Sequence, residues 1–105
     1  MASGKLVRDR IPEIIEAEGR KPVITRLSGE ALLTALHDKL AEEHAELLAA
    51  EHAKDKCEEL ADMIEVLIGI AAQHGCKETE LQQIVTRKRT ERGGFTKGLF
   101  YMGDA

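Results

Sequence analysis

Apolar residues recur every three or four positions in two neighbouring stretches between residues 30 and 74, which is the spacing of amphipathic helices. This spacing predicts one helix from about Glu30 to about His52 and another from about Lys56 to about His74, with a turn at residues 53–55. Two helices joined by so short a turn lie antiparallel. The central element of this chain is therefore expected to be a helical hairpin.

Carboxylates interrupt the apolar row of both predicted helices. At about 100° per residue, Glu43 projects only about 20° from Leu36, in the middle of the leucine row, and Glu46 lies on the flank of that row. In the second helix, Glu59 and Asp62 are three residues apart and continue a row of apolar residues at helical spacing. Four acids are thus predicted on helix faces where apolar side chains are the rule.

A bound divalent cation would account for these four acids. An ionised carboxylate buried without a partner costs several kcal/mol, and clustering adds repulsion between like charges. The antiparallel hairpin brings Glu43 and Glu46 opposite Glu59 and Asp62, which together offer up to eight carboxylate oxygens. Such oxygen ligands favour Mg²⁺, or Mn²⁺ as its substitute, over zinc. The alternative is a solvated acidic helix face, which is the usual state of glutamate runs.

Composition and length favour one all-α domain. The 105 residues are 43% apolar, 32% charged and only 3% aromatic, which is typical of a helical protein rich in alanine, leucine and glutamate. Beyond the hairpin we predict a short capped helix between Asp9 and Gly19, an extended arm or short strand over residues 21–27 followed by a helix cap at Ser28, and a helix from about Glu78 to Arg92. We therefore expect a single domain over residues 1–105, a short bundle of three to four helices with a short extended N-terminal arm.

Several other features of the sequence narrow the class of protein. No run of eighteen uncharged apolar residues and no apolar signal region occurs, so we expect a cytoplasmic protein that does not cross a membrane. The net charge of −4 makes nucleic acid an unexpected partner. Cys57 and Cys76 lack the spacing of a disulfide framework or a zinc site and are expected to be free thiols. Residues Met1 to Gly4 resemble a flexible start or a remnant of cloning.

Four stretches of the chain resemble one enzyme family. The acids form the pattern EExxE, twelve residues, ExxD, with Glu42, Glu43 and Glu46 in the first part and Glu59 and Asp62 in the second. Further likeness comes from KLVRDRIP at residues 5–12, GRKP at 19–22 and KRTERGGF at 88–95. In these motifs, which span nearly the whole chain, the sequence resembles the MazG-like all-α nucleoside triphosphate pyrophosphohydrolases of the phosphoribosyl-ATP pyrophosphohydrolase-like superfamily.

The resemblance implies an activity and a set of metal ligands. The activity would be Mg²⁺-dependent hydrolysis of the bond between the α and β phosphates of an NTP or dNTP, giving a nucleoside monophosphate and pyrophosphate in nucleotide-pool house-cleaning. The ligands would be Glu43, Glu46, Glu59 and Asp62, the same four that helical phase selects. Glu42, the remaining acid of the motif, is the candidate acceptor of a proton from the attacking water, or else a solvent-facing glutamate.

Basic residues near both ends are candidates for binding phosphate. Lys88 and Arg92 lie four residues apart on one face of the fourth helix, with Arg89 beside them. The resemblance makes them ligands of the departing pyrophosphate, whereas a basic pair at this spacing is otherwise usually a solvated face. Lys5 and Arg8 either reach the triphosphate or hold the N-terminal segment to neighbouring acids.

The resemblance also implies an obligate homo-oligomer, a homodimer or homotetramer. The third helix agrees with this expectation, because it is apolar around most of its circumference from Met63 to Ala72. Two alternative functions stay open. One is a phosphoribosyl-ATP pyrophosphohydrolase, and the other is a non-enzymatic dimeric helical interaction module whose acids are surface residues.

Overall fold

The structure, a computed structural model, describes residues 4–105 and forms four α-helices and no strand over that range. The helices are α1 (Ile11–Ala17), α2 (Gly29–Ala49), α3 (Ala53–Gln73) and α4 (Glu78–Arg92). The predicted all-α fold is confirmed, and α4 has the predicted bounds. None of these helices has the length and apolar content needed to cross a membrane.

The segments outside the helices differ from the predictions in two places. Residues 20–28 connect α1 to α2 without regular secondary structure, so the alternative of a short strand at residues 21–27 is wrong. The predicted flexible start at Met1 to Gly4 lies outside the described residues, apart from Gly4, which is exposed. Both cysteines are free thiols, as predicted.

The predicted hairpin of α2 and α3 is the best packed part of the chain. Each helix has 21 residues, a length of about 32 Å at 1.5 Å per residue. Within residues 4–105 the buried apolar side chains are Leu36 of α2 and Val66 of α3, which lie on the two rows predicted to face each other. The helices approach closely at Gly69, because a Cβ atom placed there would lie 3.1 Å from Cδ2 of Leu36. The hairpin therefore brings the two acid-bearing faces together.

The turn between α2 and α3 lies at residues 50–52, and the predicted turn at residues 53–55 is wrong. α2 ends at Ala49, and Ala50 (ψ 137°) and His52 (ψ 145°) adopt extended backbone before α3 begins. Asp55, expected in the turn, lies instead in the first turn of α3. An acidic side chain is favourable there because it interacts with the positive end of the helix dipole.

A glycine at positive φ follows α1, α3 and α4, and the first of these, Gly19, lies at the predicted end of α1. Gly19 (φ +86°) follows α1 and Gly75 (φ +78°) follows α3, and both occupy the left-handed region that favours glycine. At the end of α3 the backbone N–H of Gly75 donates to the carbonyl of Ala72 at 3.0 Å. This hydrogen bond satisfies one of the carbonyls that the helix end leaves without a partner.

Of the two predicted N-terminal cap residues, one is at the cap position in the structure. Ser28 is the N-cap residue of α2, but its hydroxyl makes no capping hydrogen bond. The predicted cap at Asp9 is wrong, because α1 begins after Arg10. Pro12 explains the start of α1, since proline is tolerated in the first helical turn, where its missing N–H has no helical partner to lose.

The chain is elongated and leaves much of its apolar surface exposed. Its radius of gyration is 17.7 Å, against about 13 Å for a compact domain of this length. α4 contacts α3 sparingly, and α1 packs against none of the other described helices. Large exposed apolar side chains lie on α3, in the α1–α2 connection and after α4; they include Val23, Ile24, Leu60, Ile64, Leu67, Phe95, Leu99, Phe100, Tyr101 and Met102.

Candidate metal centre

Three carboxylates converge between α2 and α3. Glu43 and Glu46 lie one turn apart on α2 and Glu59 lies on α3, and one oxygen of each is within 4.8 Å of the others. We call these three residues the carboxylate cluster. It contains three of the four ligands predicted from the sequence. It forms because the acid-bearing face of α2 packs against α3 in the hairpin.

The cluster contains buried oxygens that have no hydrogen-bond partner. Glu43 is only 5% exposed, which confirms its predicted position inside the apolar row. Oε2 of Glu43 and Oε2 of Glu59 are both buried, and neither accepts a hydrogen bond from residues 4–105. Buried carboxylate oxygens without partners are costly. A hard cation with oxygen ligands would satisfy both atoms, so the donor set fits Mg²⁺ or Mn²⁺.

Glu43 and Glu46 perturb the protonation of Glu59. The adjacent carboxylate of Glu43, burial, and the nearby carboxylate of Glu46 together raise the pKa of Glu59 to about 7 from the ordinary 4.5. Carboxylates at such short range repel one another when ionised, which favours the form of Glu59 that carries a proton. A divalent cation would replace that proton, because metal ligands bind in their deprotonated form.

Lys39 contacts the cluster and was not predicted as a site residue. Its Nζ lies 3.2 Å from Oε1 of Glu43 and 3.4 Å from Oε1 of Glu42, and its side chain is largely buried. Burial acts to lower the pKa of Lys39, but the contacts with Glu43 and Glu42 outweigh it, and the pKa is raised. Its position four residues before Glu43 on the same helix was a usable signal, since i, i+4 pairs of opposite charge are neighbours.

Asp62, the fourth predicted ligand, is paired with the N-terminal segment. Its Oδ1 accepts a hydrogen bond from Nη2 of Arg8 at 2.6 Å, and Nη1 of Arg8 lies 4.0 Å from Oε1 of Glu65. Asp62 lines the same groove as Glu43 but is not part of the carboxylate cluster. Its role as a metal ligand therefore stays a prediction.

The N-terminal segment lies over the hairpin beside the cluster. Lys5 places Nζ 3.6 Å from Oε1 of Glu42, and residues 5–9 together with α2 and α3 line a groove of about 620 Å³. Of the two roles predicted for Lys5 and Arg8, holding the N-terminal segment to neighbouring acids agrees with these contacts. Binding of triphosphate by the same residues stays a prediction. Glu42, the candidate proton acceptor, is half-buried and contacts Lys5 and Lys39, but it does not itself line this groove.

The basic residues of α4 form a separate site. Lys88, Arg89 and Arg92 line a second groove of about 510 Å³ with Phe95 and the two glycines that follow the helix. None of the three lines the groove next to the carboxylate cluster. Within one chain, the structure therefore brings three of the four candidate metal ligands together but keeps the predicted pyrophosphate ligands apart from them.

Comparison with known proteins gives one partial match. Over 47 residues the chain is 60% identical to an uncharacterized protein of Mycolicibacterium smegmatis (strain ATCC 700084 / mc(2)155). The match covers 45% of this chain and 48% of that protein, so the chain spans about half the length of the relative. No family model and no solved structure matches the chain.

Proposed function

We propose that the chain is a Mg²⁺-dependent nucleoside triphosphate pyrophosphohydrolase of the MazG-like type. It would hydrolyse the bond between the α and β phosphates of an NTP or dNTP and release a nucleoside monophosphate and pyrophosphate. The observation that supports this proposal best is the pair of buried oxygens on Glu43 and Glu59 that have no hydrogen-bond partner within residues 4–105. These residues belong to the EExxE and ExxD motifs, and their burial disfavours the alternative in which the acids are solvated surface residues.

The metal would be held by Glu43, Glu46 and Glu59, with Asp62 joining when it is released from Arg8. That release is inexpensive, because an exposed ion pair contributes only about 0–1 kcal/mol. Bound Mg²⁺ supplies charge neutralisation on the non-bridging phosphate oxygens and lowers the pKa of a coordinated water. A divalent ion bound by a few carboxylates keeps further coordination positions for water and phosphate oxygens.

The remaining residues of the site have roles in proton transfer and charge. Glu42 lies beside Lys5 and Lys39, two residues that line the groove, and would accept the proton of the attacking water. Lys5 and Arg8 would exchange their carboxylate partners for the triphosphate of the incoming nucleotide. Lys88, Arg89 and Arg92 line a separate groove within one chain, so the copies that act at a metal centre would come from a neighbouring chain. There they would hold the phosphates that become pyrophosphate, since cations placed where charge develops stabilise the transition state.

An oligomer, a homodimer or homotetramer, is part of the proposal. Leu60, Ile64 and Leu67 recur at helical spacing on α3 and are all exposed, although apolar rows of this kind normally pack against a neighbour. A second copy would cover this row and complete the bundle. Residues 20–28, with exposed Val23 and Ile24, would serve as the extended arm that lies on the neighbouring copy.

The test is a screen for Mg²⁺-dependent release of pyrophosphate from standard and damaged NTPs and dNTPs, with phosphoribosyl-ATP included. We expect activity on at least one nucleoside triphosphate, and loss of turnover at saturating nucleotide in E43Q. E58Q is the matched control, because Glu58 is exposed on α3 next to Glu59. Absence of pyrophosphate release from every nucleotide, by protein that folds and binds Mn²⁺, would reject the enzymatic proposal.

A further inference from the structure

Lys39 gives the two oxygens of Glu43 different surroundings. Its Nζ lies 3.2 Å from Oε1, while Oε2 of the same carboxylate is buried and accepts no hydrogen bond from the described residues. The side chain of Lys39 is 19% exposed and that of Glu43 is 7% exposed, so bulk water competes little for either group. Because the two residues are four positions apart on α2, the helix places the ammonium within reach of this carboxylate.

The number of oxygens that a carboxylate offers to a metal depends on such contacts. Ca²⁺ accepts six to eight ligands and commonly binds a carboxylate through both oxygens, whereas Mg²⁺ requires octahedral geometry with shorter bonds. A cation bound through both oxygens of Glu43 would have to share Oε1 with the Lys39 ammonium. Repulsion between the two positive charges opposes that arrangement. Binding through Oε2 alone leaves the ion pair of Lys39 intact.

We propose that Lys39 is a positioning residue that restricts Glu43 to one metal-binding oxygen and so makes the centre prefer Mg²⁺ and Mn²⁺ to Ca²⁺. The inference rests on the metal centre of the proposed function. Nζ of Lys39 also lies 3.4 Å from Oε1 of Glu42, so one ammonium fixes the metal ligand and the candidate proton acceptor together. Arg8 and Lys5, the other cations beside the groove, contact Asp62, Glu65 and Glu42. Among the described residues, the ion pair of Glu43 is with Lys39.

Simple charge compensation is the competing explanation for Lys39, and it makes a different prediction. If the ammonium served only to reduce the negative charge of the cluster, its removal would strengthen the attraction for every divalent cation alike. Absolute affinities therefore do not separate the two explanations. The ratio of the affinities for Mn²⁺ and Ca²⁺ separates the two explanations, because the two ions carry equal charge and differ in preferred ligand geometry.

The experiment is isothermal titration calorimetry of the metal-free full chain with MnCl₂, MgCl₂ and CaCl₂, which gives the affinity of wild type, K39M and K39R for each ion. We expect K39M to reduce the preference for Mn²⁺ over Ca²⁺ by about tenfold or more, the usual effect of removing a group that orients a metal ligand. K39R should retain the preference, since it keeps a charged donor for Oε1. K54M is the matched control, because Lys54 is an exposed lysine at the start of α3 without an ion pair in residues 4–105.

Each result decides one point. A K39M protein whose Mn²⁺ to Ca²⁺ ratio equals that of wild type overturns the inference while leaving the proposed metal centre standing. If wild type binds none of the three ions, both the centre and the inference fail. If K39M does not fold, as judged by circular dichroism, K39Q replaces it. A Mn²⁺ to Ca²⁺ affinity ratio in K39Q equal to that of wild type then also overturns the inference.

Discussion

Glu43 carries a charge at a position where most helices place a leucine. Its neighbours Glu46 and Glu59 lie within reach of a shared cation, so the metal-free chain contains unrelieved repulsion between carboxylates. Helical phase alone was sufficient to find these three residues, because it needs only the spacing along each helix and the prediction that the helices pair.

Replacement of Glu43 by glutamine should separate metal binding from folding. We expect millimolar Mn²⁺ to raise the melting temperature of wild type, since a ligand that binds only the folded state stabilises it. E43Q should lose that response, because the neutral amide is a poor metal ligand, while its amide oxygen still accepts a hydrogen bond from Lys39. Thermal melts with and without Mn²⁺ measure both effects, with E58Q as control. An equal response to Mn²⁺ in wild type and E43Q would contradict the metal centre.

The pKa of Glu59 predicts how stability depends on pH. Because the pKa is raised to about 7 in the folded chain, folding favours the protonated carboxyl. The stabilisation is fully present below the ordinary pKa of 4.5 and is lost as pH rises through about 7. We expect the metal-free melting temperature to fall across this window, and Mn²⁺ to stabilise more at pH 8 than at pH 5.5.

E59Q provides the comparison for this pH effect. The variant has no carboxyl to titrate at that position, so its metal-free melting temperature should change less between pH 5 and 8 than that of wild type. Equal slopes in wild type and E59Q would show that another group is responsible.

Two contacts at the site were not assigned in full from the sequence, for different physical reasons. The pair of Arg8 with Asp62 joins residues 54 positions apart, and helical periodicity gives no information about contacts at such separation. The pair of Lys39 with Glu43 is local, but a lysine at this spacing on an amphipathic helix is usually a solvated residue. Its burial depends on the N-terminal segment, which lines the same groove and whose placement is tertiary information.

Gly69 lies where α3 closely approaches Leu36 of α2. In G69A the new methyl group would require Leu36 to move slightly, and the groove beside Leu36 offers room for that movement. Alanine is the better helix former by about 0.8–1.0 kcal/mol, so we expect G69A to be tolerated or slightly stabilising. G69L should destabilise by about 1–3 kcal/mol, because overpacking forces the helices apart. Urea unfolding at fixed protein concentration measures both changes, and a G69L chain as stable as wild type would contradict the close approach.

The basic end of α4 should affect catalysis without affecting the metal centre. K88A and R92A each remove a charged donor, a contact worth about 1.5–3 kcal/mol, so we expect kcat/KM to fall at least about tenfold. The melting temperature and its response to Mn²⁺ should stay unchanged. R87A is the matched control, because Arg87 is exposed on α4 and does not line the groove of Lys88 and Arg92. Full kcat/KM in both K88A and R92A would reject the role in binding pyrophosphate.

The helix boundaries show which residue types in the sequence predict correctly where a helix ends. Glycine marks the ends of α1, α3 and α4, because its freedom at positive φ is a physical requirement of those ends. The turn before α3 contains neither glycine nor proline, and its position is set by how the two helices pack. Asp55 was read as a turn residue since aspartate is favourable both in turns and in the first turn of a helix.

The whole chain should assemble, since one copy buries few apolar side chains. Ile64 is 57% exposed in the middle of the apolar row of α3. We expect wild type to be a dimer or tetramer at micromolar concentration and I64D to associate at least about tenfold more weakly, because an apolar side chain of this size contributes about 1.5–3 kcal/mol when buried. I64L should assemble normally. Light scattering measures the mass, and a stable, active monomer would refute the assembly.

The length of the molecule affects how that mass can be measured. A particle of 62 × 35 × 27 Å experiences more friction in solution than a sphere of equal mass, so it migrates through a porous gel as if it were heavier. An elongated monomer and a compact dimer of this chain would then elute close together. Elution volume alone would misjudge the stoichiometry, whereas sedimentation equilibrium, which does not depend on shape, gives it directly.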